Sequence, residues 1–192
     1  MIAIINYNAG NTRSVQNALQ RLGYTSLITH DSEEIRQADK VIFPGVGEAT
    51  SAMNYLKEKG LDTLIPTLTQ PVLGICLGMQ LLCESSEEGN TECLGVFPIK
   101  VLKFKGTEKV PHMGWNDFVR LDGALFIGVR TADNVYFVHS YYAELAPATS
   151  AVCDYILPFS AGLEKDNFYA TQFHPEKSAG IGEIILKNFL SL

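Results

Sequence analysis

Short apolar runs rich in β-branched residues alternate along this chain with stretches whose apolar positions recur every three or four residues. The first run, Met1 to Asn6, predicts a strand, closed by the turn-rich stretch Asn6-Tyr7-Asn8-Ala9-Gly10-Asn11. Val15, Leu19 and Leu22 then share one helical face, and Gly23 is placed to stop that helix. Ser26 to Thr29 reads as a second strand, and Asp31 with Glu34 three residues on resembles a capping box opening a short helix. Lys40 to Phe43 is a buried strand ending at Pro44-Gly45-Val46-Gly47, and Glu48 to Lys59 continues as a helix. Val72 to Ile75 is another buried strand, running into Cys76 and a helix through about Ser85. Strand and helix thus alternate over the first ninety residues, the pattern of a parallel sheet covered on both faces.

The middle of the chain changes character. From about Gly95 to Tyr142 the strand-like pieces Phe97 to Phe104, Asp117 to Leu121 and Tyr136 to Tyr142 are separated by Gly, Pro and Asp, which predicts antiparallel hairpins. Gly182 to Leu192 places Ile184, Ile185 and Phe189 at helical spacing, a closing amphipathic helix. The expected fold is α/β: an open, largely parallel sheet flanked by helices, with an antiparallel extension. No repeat, low-complexity tract or linker interrupts residues 1–192, which read as a single domain.

Composition narrows the function classes. At 46% hydrophobic and 19% charged the chain is an ordinary folding sequence, not a disordered one. A net charge of −6 argues against nucleic acid as a partner. The longest apolar runs, such as Pro71 to Cys76, fall far short of the ~20 residues that span a bilayer, and the first residues lack the basic start of a signal peptide. Cys76, Cys83, Cys93 and Cys153 form no C-x-x-C pair, so neither a metal site nor a disulfide framework is expected. Free thiols fit a cytoplasmic setting.

One of those thiols carries a chemical signature. Gly74-Ile75-Cys76-Leu77-Gly78 at a strand-to-helix junction has the form of a nucleophile elbow with Cys in place of Ser. A lone cysteine there is ordinarily a small core residue; the flanking glycines, which let strand and helix close together, turn the reading toward a nucleophile. Free N–H groups at the start of the following helix favour the thiolate. A base and its orienting group are available in His174-Pro175-Glu176, where Pro175 biases His174 toward extended backbone and residues i and i+2 project to the same side. His139 has no carboxylate at i±2 and reads as a hydrogen-bonded core residue. His112, in a Pro/Gly-rich loop, is open between a substrate contact and a structural role, and His30 reads as surface. The N–H of Leu77 is one oxyanion donor by elbow logic, and Pro44-Gly45-Val46-Gly47 is the candidate for the other. That loop lacks the Lys-Ser/Thr of a phosphate loop. Gln80, one helical turn past Cys76, is either a substrate-binding carboxamide or part of a solvated face.

Gly74-Ile75-Cys76-Leu77-Gly78-Met79-Gln80 together with Gln172-Phe173-His174-Pro175-Glu176 resembles the triad, or class I, glutamine amidotransferases. Further segments, among them Pro111-His112-Met113-Gly114-Trp115-Asn116, Tyr136-Phe137-Val138-His139-Ser140-Tyr141-Tyr142 and Glu176-Lys177-Ser178, are similar to the glutaminase subunits that serve imidazole glycerol phosphate synthases in histidine biosynthesis. The first loop departs from that pattern, with Asn6-Tyr7-Asn8 where Asp-Tyr-Gly is expected. The resemblance implies that Cys76 attacks the side-chain amide of L-glutamine. His174 then protonates the leaving ammonia and activates water, and Glu176 orients His174. It further implies that Val46 and Gly47 rearrange into an oxyanion hole with Leu77, and that Gln80 and the backbone of Ser140 and Tyr141 hold the amino-acid end. Ammonia would pass to a (β/α)8-barrel cyclase subunit facing Asn11, Tyr136 and Lys177 in a heterodimer, with no cofactor. A glutaminase of another synthase, a cysteine peptidase built on the same elbow and a non-catalytic scaffold are the competing readings. A peptidase has no use for Gln80, and a scaffold has no chemical reason to keep Cys76, His174 and Glu176 together.

Overall fold

Parallel strands alternate with helices through the first half of the computed structural model, which describes residues 1–7 and 11–192; the turn-rich Asn8, Ala9 and Gly10 lie outside the described residues. The elements are β1 (Ile2–Ile5), α1 (Thr12–Arg21), β2 (Ser26–Thr29), α2 (Ser32–Gln37), β3 (Lys40–Gly45), α3 (Ala49–Glu58), α4 (Leu61–Leu64), β4 (Val72–Cys76) and α5 (Leu77–Leu82). Alternation along each strand explains why they need cover on two sides. Ile2, Ile4, Ile42, Leu73 and Ile75 face one core together with Val15 and Leu19 of α1. Ala3, Ile5, Val41, Phe43 and Val72 face the other, with Ala52 and Leu56 of α3. Gly23 takes a positive φ of 85° just past α1, as a helix stop requires. Asp31 caps α2 through the N–H groups of Glu33 and Glu34. The expected capping box stays half made, because the Glu34 carboxylate takes the Thr29 hydroxyl instead of the Asp31 N–H.

The second half supplies β5 (Ser85–Ser86), β6 (Thr91–Glu92), β7 (Lys100–Lys103), β8 (His112–Asn116), β9 (Arg120–Leu121), β10 (Val135–His139), β11 (Tyr141–Ala143), β12 (Thr149–Tyr155), β13 (Leu157–Lys165), β14 (Phe168–Thr171) and α6 (Ala179–Ser191). The main sheet runs β2-β1-β3-β4-β14-β13-β11-β7-β5-β6. It is parallel from β2 to β14 and turns antiparallel at β13, the expected architecture with its extension. Ile185, Leu186 and Phe189 of α6 join the same core as α1. Among the described residues no helix is long and apolar enough to cross a membrane.

Four local expectations are corrected. The helix after Cys76 ends at Leu82, because Cys83 is extended and Glu84 N–H bonds the Ile99 carbonyl. The Pro/Gly-rich loop around His112 is a strand, paired antiparallel with β10. Of Asp117 to Leu121 only Arg120–Leu121 is strand. Tyr136 to Tyr142 is two strands broken at Ser140: β10 pairs with β8 in a separate ribbon, and β11 joins the main sheet between β7 and β13. The long β12–β13 hairpin gave no alternation to read, since Thr149 to Cys153 and Phe159 to Leu163 are buried at every position.

Candidate active site

Register along the parallel strands assembles the site. β4 lies between β3 and β14, with Gly45 opposite Cys76 on one side and Thr171 opposite Ile75 on the other. Cys76 therefore leaves the sheet beside the Val46–Gly47 loop, and His174 follows three residues beyond the end of β14. Cys76 itself has φ 54° and ψ −109°, the turn expected of an elbow nucleophile. The glycines around it answer to close approach. A Cβ at Gly78 would overlap the Phe43 carbonyl oxygen of β3, and one at Gly74 would stand 2.7 Å from Leu82 Cδ1.

His174 and Glu176 form a buried pair, with His174 Nδ1 2.9 Å from Glu176 Oε1 and both side chains almost fully enclosed. His174 is extended as Pro175 requires, but Glu176 sits on a 3-10 turn, Pro175–Lys177, so the turn and not a straight segment brings residues i and i+2 together. Burial acts to lower the pKa of His174. Hydrogen bonding and charge from Cys76 and Glu176 outweigh it and raise the pKa to about 10. Apart from Cys76, His174 Nε2, the nitrogen not committed to Glu176, has no hydrogen-bond partner among the described residues. It is the atom left free to exchange a proton.

In front of Cys76 lies a cleft of about 330 Å³, the size of a small-molecule site. Val46, Gly47 and Leu77 line it together with Val138, His139, Ser140 and Tyr141. Gln80 lines the cleft and is buried, which removes the solvated-face reading; its Nε2 donates to the Tyr141 carbonyl at 3.0 Å and to Gln172 Oε1 at 2.9 Å. Gln172 Nε2 in turn lies 3.8 Å from Cys76 Sγ. Asn11, Tyr136 and Lys177 are outside the cleft, at the N-cap of α1, on β10 and on the 3-10 turn; α1 and β10 both pack against that turn. Asn11 and Tyr136 are half-buried and Lys177 is exposed.

The family model described as glutamine amidotransferase class-I matches residues 3–191. The chain belongs to the class-I glutamine amidotransferases. Among the relatives of this amidotransferase is the imidazole glycerol phosphate synthase subunit HisH of Bacteroides fragilis strain YCH46, 60% identical and covering 100% of this chain and 99% of that protein. Imidazole glycerol phosphate synthase subunit HisH 2 of Legionella pneumophila strain Paris is 50% identical, with 100% and 98% covered. Of solved structures, the crystal structure of a glutamine amidotransferase shares the fold at a TM-score of 0.76 and 18% identity, with 100% and 98% covered.

Three residues of this amidotransferase's site carry roles that the sequence did not assign: Glu88, which no motif includes, and Ser178 and Gln172, which stand in the motifs without a role of their own. Glu88 lines the cleft from the turn after β5, where its Oε2 accepts the Ala49 N–H at 2.8 Å. Burial, with the charge of Glu48, raises its pKa against the lowering effect of that N–H. In sequence it stands in a polar Ser-Ser-Glu-Glu-Gly run with nothing to mark it. Ser178 ties the His174 segment to β10, its hydroxyl donating to the His174 carbonyl at 2.6 Å and accepting the Tyr136 N–H at 3.0 Å. His174 N–H also bonds the Tyr136 carbonyl at 2.9 Å. Gln172, fully buried, becomes readable only once Gln80 is seen against it.

Proposed function

We propose that this chain hydrolyses L-glutamine at Cys76 and serves as the glutaminase subunit of an imidazole glycerol phosphate synthase. The observation that carries the reading is a cysteine at a strand-to-helix elbow, on a small-molecule cleft, served by a buried His174–Glu176 pair. Cys76 Sγ attacks the carboxamide carbon, and the oxyanion is received by the Leu77 N–H and the Val46–Gly47 loop. The carbon–nitrogen bond breaks as His174 gives its proton to the departing ammonia, leaving a thioester on Cys76. Water then attacks with His174 as base, the carbon–sulfur bond breaks, and glutamate leaves. Glu176 keeps Nδ1 of His174 occupied so that Nε2 does both transfers. Gln80 and the Ser140–Tyr141 backbone fix the amino-acid end, and the Glu88 carboxylate offers the counter-charge for its ammonium.

The relatives' name supports assembly with a cyclase, and so does the β8–β10 ribbon beside the cleft. Trp115 and Met113 are more than half exposed there, and Trp115 packs edge-on to Tyr136 at 5.9 Å. With Asn11 and Lys177 they make a docking face for a (β/α)8-barrel cyclase that receives the ammonia. We read residues 1–192 as one amidotransferase domain and the protein as cytoplasmic, in keeping with its four free cysteines. The test is glutamate release from L-glutamine by this chain, alone and with a barrel cyclase carrying its nucleotide ligand. A large rise in the complex is expected. Equal activity with and without the cyclase would remove the synthase assignment and keep the glutaminase, and no activity in either would remove both.

A further inference from the structure

Two buried histidines take no part in the Cys76–His174–Glu176 arrangement, yet they contact each other. His112 Nδ1 lies 3.0 Å from His139 Nε2, and His139 Nδ1 lies 2.7 Å from the Tyr141 carbonyl oxygen. A carbonyl only accepts, so His139 Nδ1 carries a hydrogen. Neutral His139 then offers Nε2 as an acceptor, and His112 must donate to it from Nδ1. That leaves His112 Nε2 as an acceptor facing the Asn116 amide nitrogen at 3.5 Å. The Asn116 amide is oriented independently, because its Oδ1 takes the Asp117 N–H and its Nδ2 donates to the Asp154 carbonyl. A single polarity therefore satisfies the whole chain, and it needs both rings neutral. A proton on either ring would turn one N–H group on another donor.

The surroundings keep them neutral. Phe137 and Phe159 pack on both rings, Phe104 on His139 and Tyr155 on His112. The Tyr155 hydroxyl is committed to the Lys109 carbonyl, His174 is the nearby titratable group, and no carboxylate hydrogen-bonds either ring among the described residues. Burial lowers His112 to about 4 and His139 to about 3. At the far end, the Tyr141 carbonyl that accepts from His139 also accepts from Gln80, which reaches Cys76 through Gln172.

We propose that His112 and His139 are positioning residues of the glutaminase site, a one-way hydrogen-bond pair that holds the Tyr141 carbonyl and, through Gln80 and Gln172, the cleft wall beside Cys76. The kinetic consequence rests on the glutaminase reading above; the arrangement of the pair does not. Nitrogen-15 histidine spectra of the full chain at pH 5.5 should show both rings as neutral Nδ1–H tautomers. A charged ring or an Nε2–H tautomer at either position overturns the pair. In the complex with the cyclase, His112→Phe keeps an aromatic ring against Tyr155 and removes the donor. It should raise KM for L-glutamine about tenfold with kcat within about twofold, and His112→Asn, with an amide near the Nδ1 place, should recover most of that. An unchanged KM in His112→Phe, or His112→Asn as impaired as His112→Phe, overturns the positioning role. Should His112→Phe not fold, His112→Gln, whose amide falls at the Nε2 place, carries the expected defect in its stead. A wild-type chain without glutaminase activity would sink the glutaminase reading, and the spectra alone would then decide the pair.

Discussion

Cys76 occupies a positive-φ conformation that costs a residue with a side chain roughly 1–3 kcal/mol, and the β4 ladder before it and the close-packed α5 after it hold it there. Replacing it tests the chemistry directly. Cys76→Ala should lower glutamate release by about a thousandfold or more, while the cyclase partner still works with added ammonium salts. Glu176→Gln should cost less, on the order of ten- to a hundredfold, because it loosens orientation without removing the nucleophile. Glu176 also favours the charged form of His174, so its neutralisation should move the His174 pKa down from about 10. Nitrogen-15 titration of His174 in both proteins checks this, and an unmoved pKa together with activity as low as that of Cys76→Ala would assign Glu176 a different role.

The elbow works as an element because β3, β4 and α5 approach more closely than side chains permit. Gly78→Ala drives a methyl group into the Phe43 carbonyl, backbone that can retreat only by parting β3 from α5. We expect a loss of about 3 kcal/mol or more in urea melts, with the glutaminase lost in proportion to the cleft's distortion. The β8–β10 ribbon makes the opposite prediction. Trp115 is 55% exposed and supports little of the core, so Trp115→Ala should leave the melt within about 0.5 kcal/mol of the parent. Its affinity for the cyclase should fall at least about tenfold, measured by titration calorimetry, as truncating a central aromatic anchor does. Equal affinity would move the docking face elsewhere.

At the scale of the whole molecule the buried histidines govern the upper part of the acid limb of stability, above the range where depressed carboxylates such as Glu48 add to it. His112 and His139 are neutral in the fold, with pKa values of about 4 and about 3, against an ordinary value near 6.5 when unfolded. Unfolding therefore takes up protons below pH 6.5, and stability falls from there toward pH 4, by up to about 1.4 kcal/mol per pH unit for each ring. His174 works the other way: its raised pKa contributes fully below pH 6.5 and fades as pH rises toward about 10, so it is flat across the acid window. Urea melts at pH 6.5, 5.5 and 4.5 check this, and a flat profile would mean that the rings are charged or exposed. The parallel half, its helix stops, the elbow and the His-Pro-Glu segment were legible beforehand, because strand burial, glycine placement and the i, i+2 pair leave local marks. The roles of Glu88, Gln172 and Ser178 and the pairing of His112 with His139 were not. Each acts through a partner far along the chain: Glu88 on Ala49, Gln172 on Gln80, Ser178 on Tyr136, His112 on His139. The β3–β4–β14 register brings some of these partners close, and the break at Ser140 that sends β10 and β11 into different sheets brings the rest. Periodicity and turn chemistry are local free energies and are written in the chain; which polar groups meet in the cleft depends on long-range pairing, and that only the tertiary structure decided.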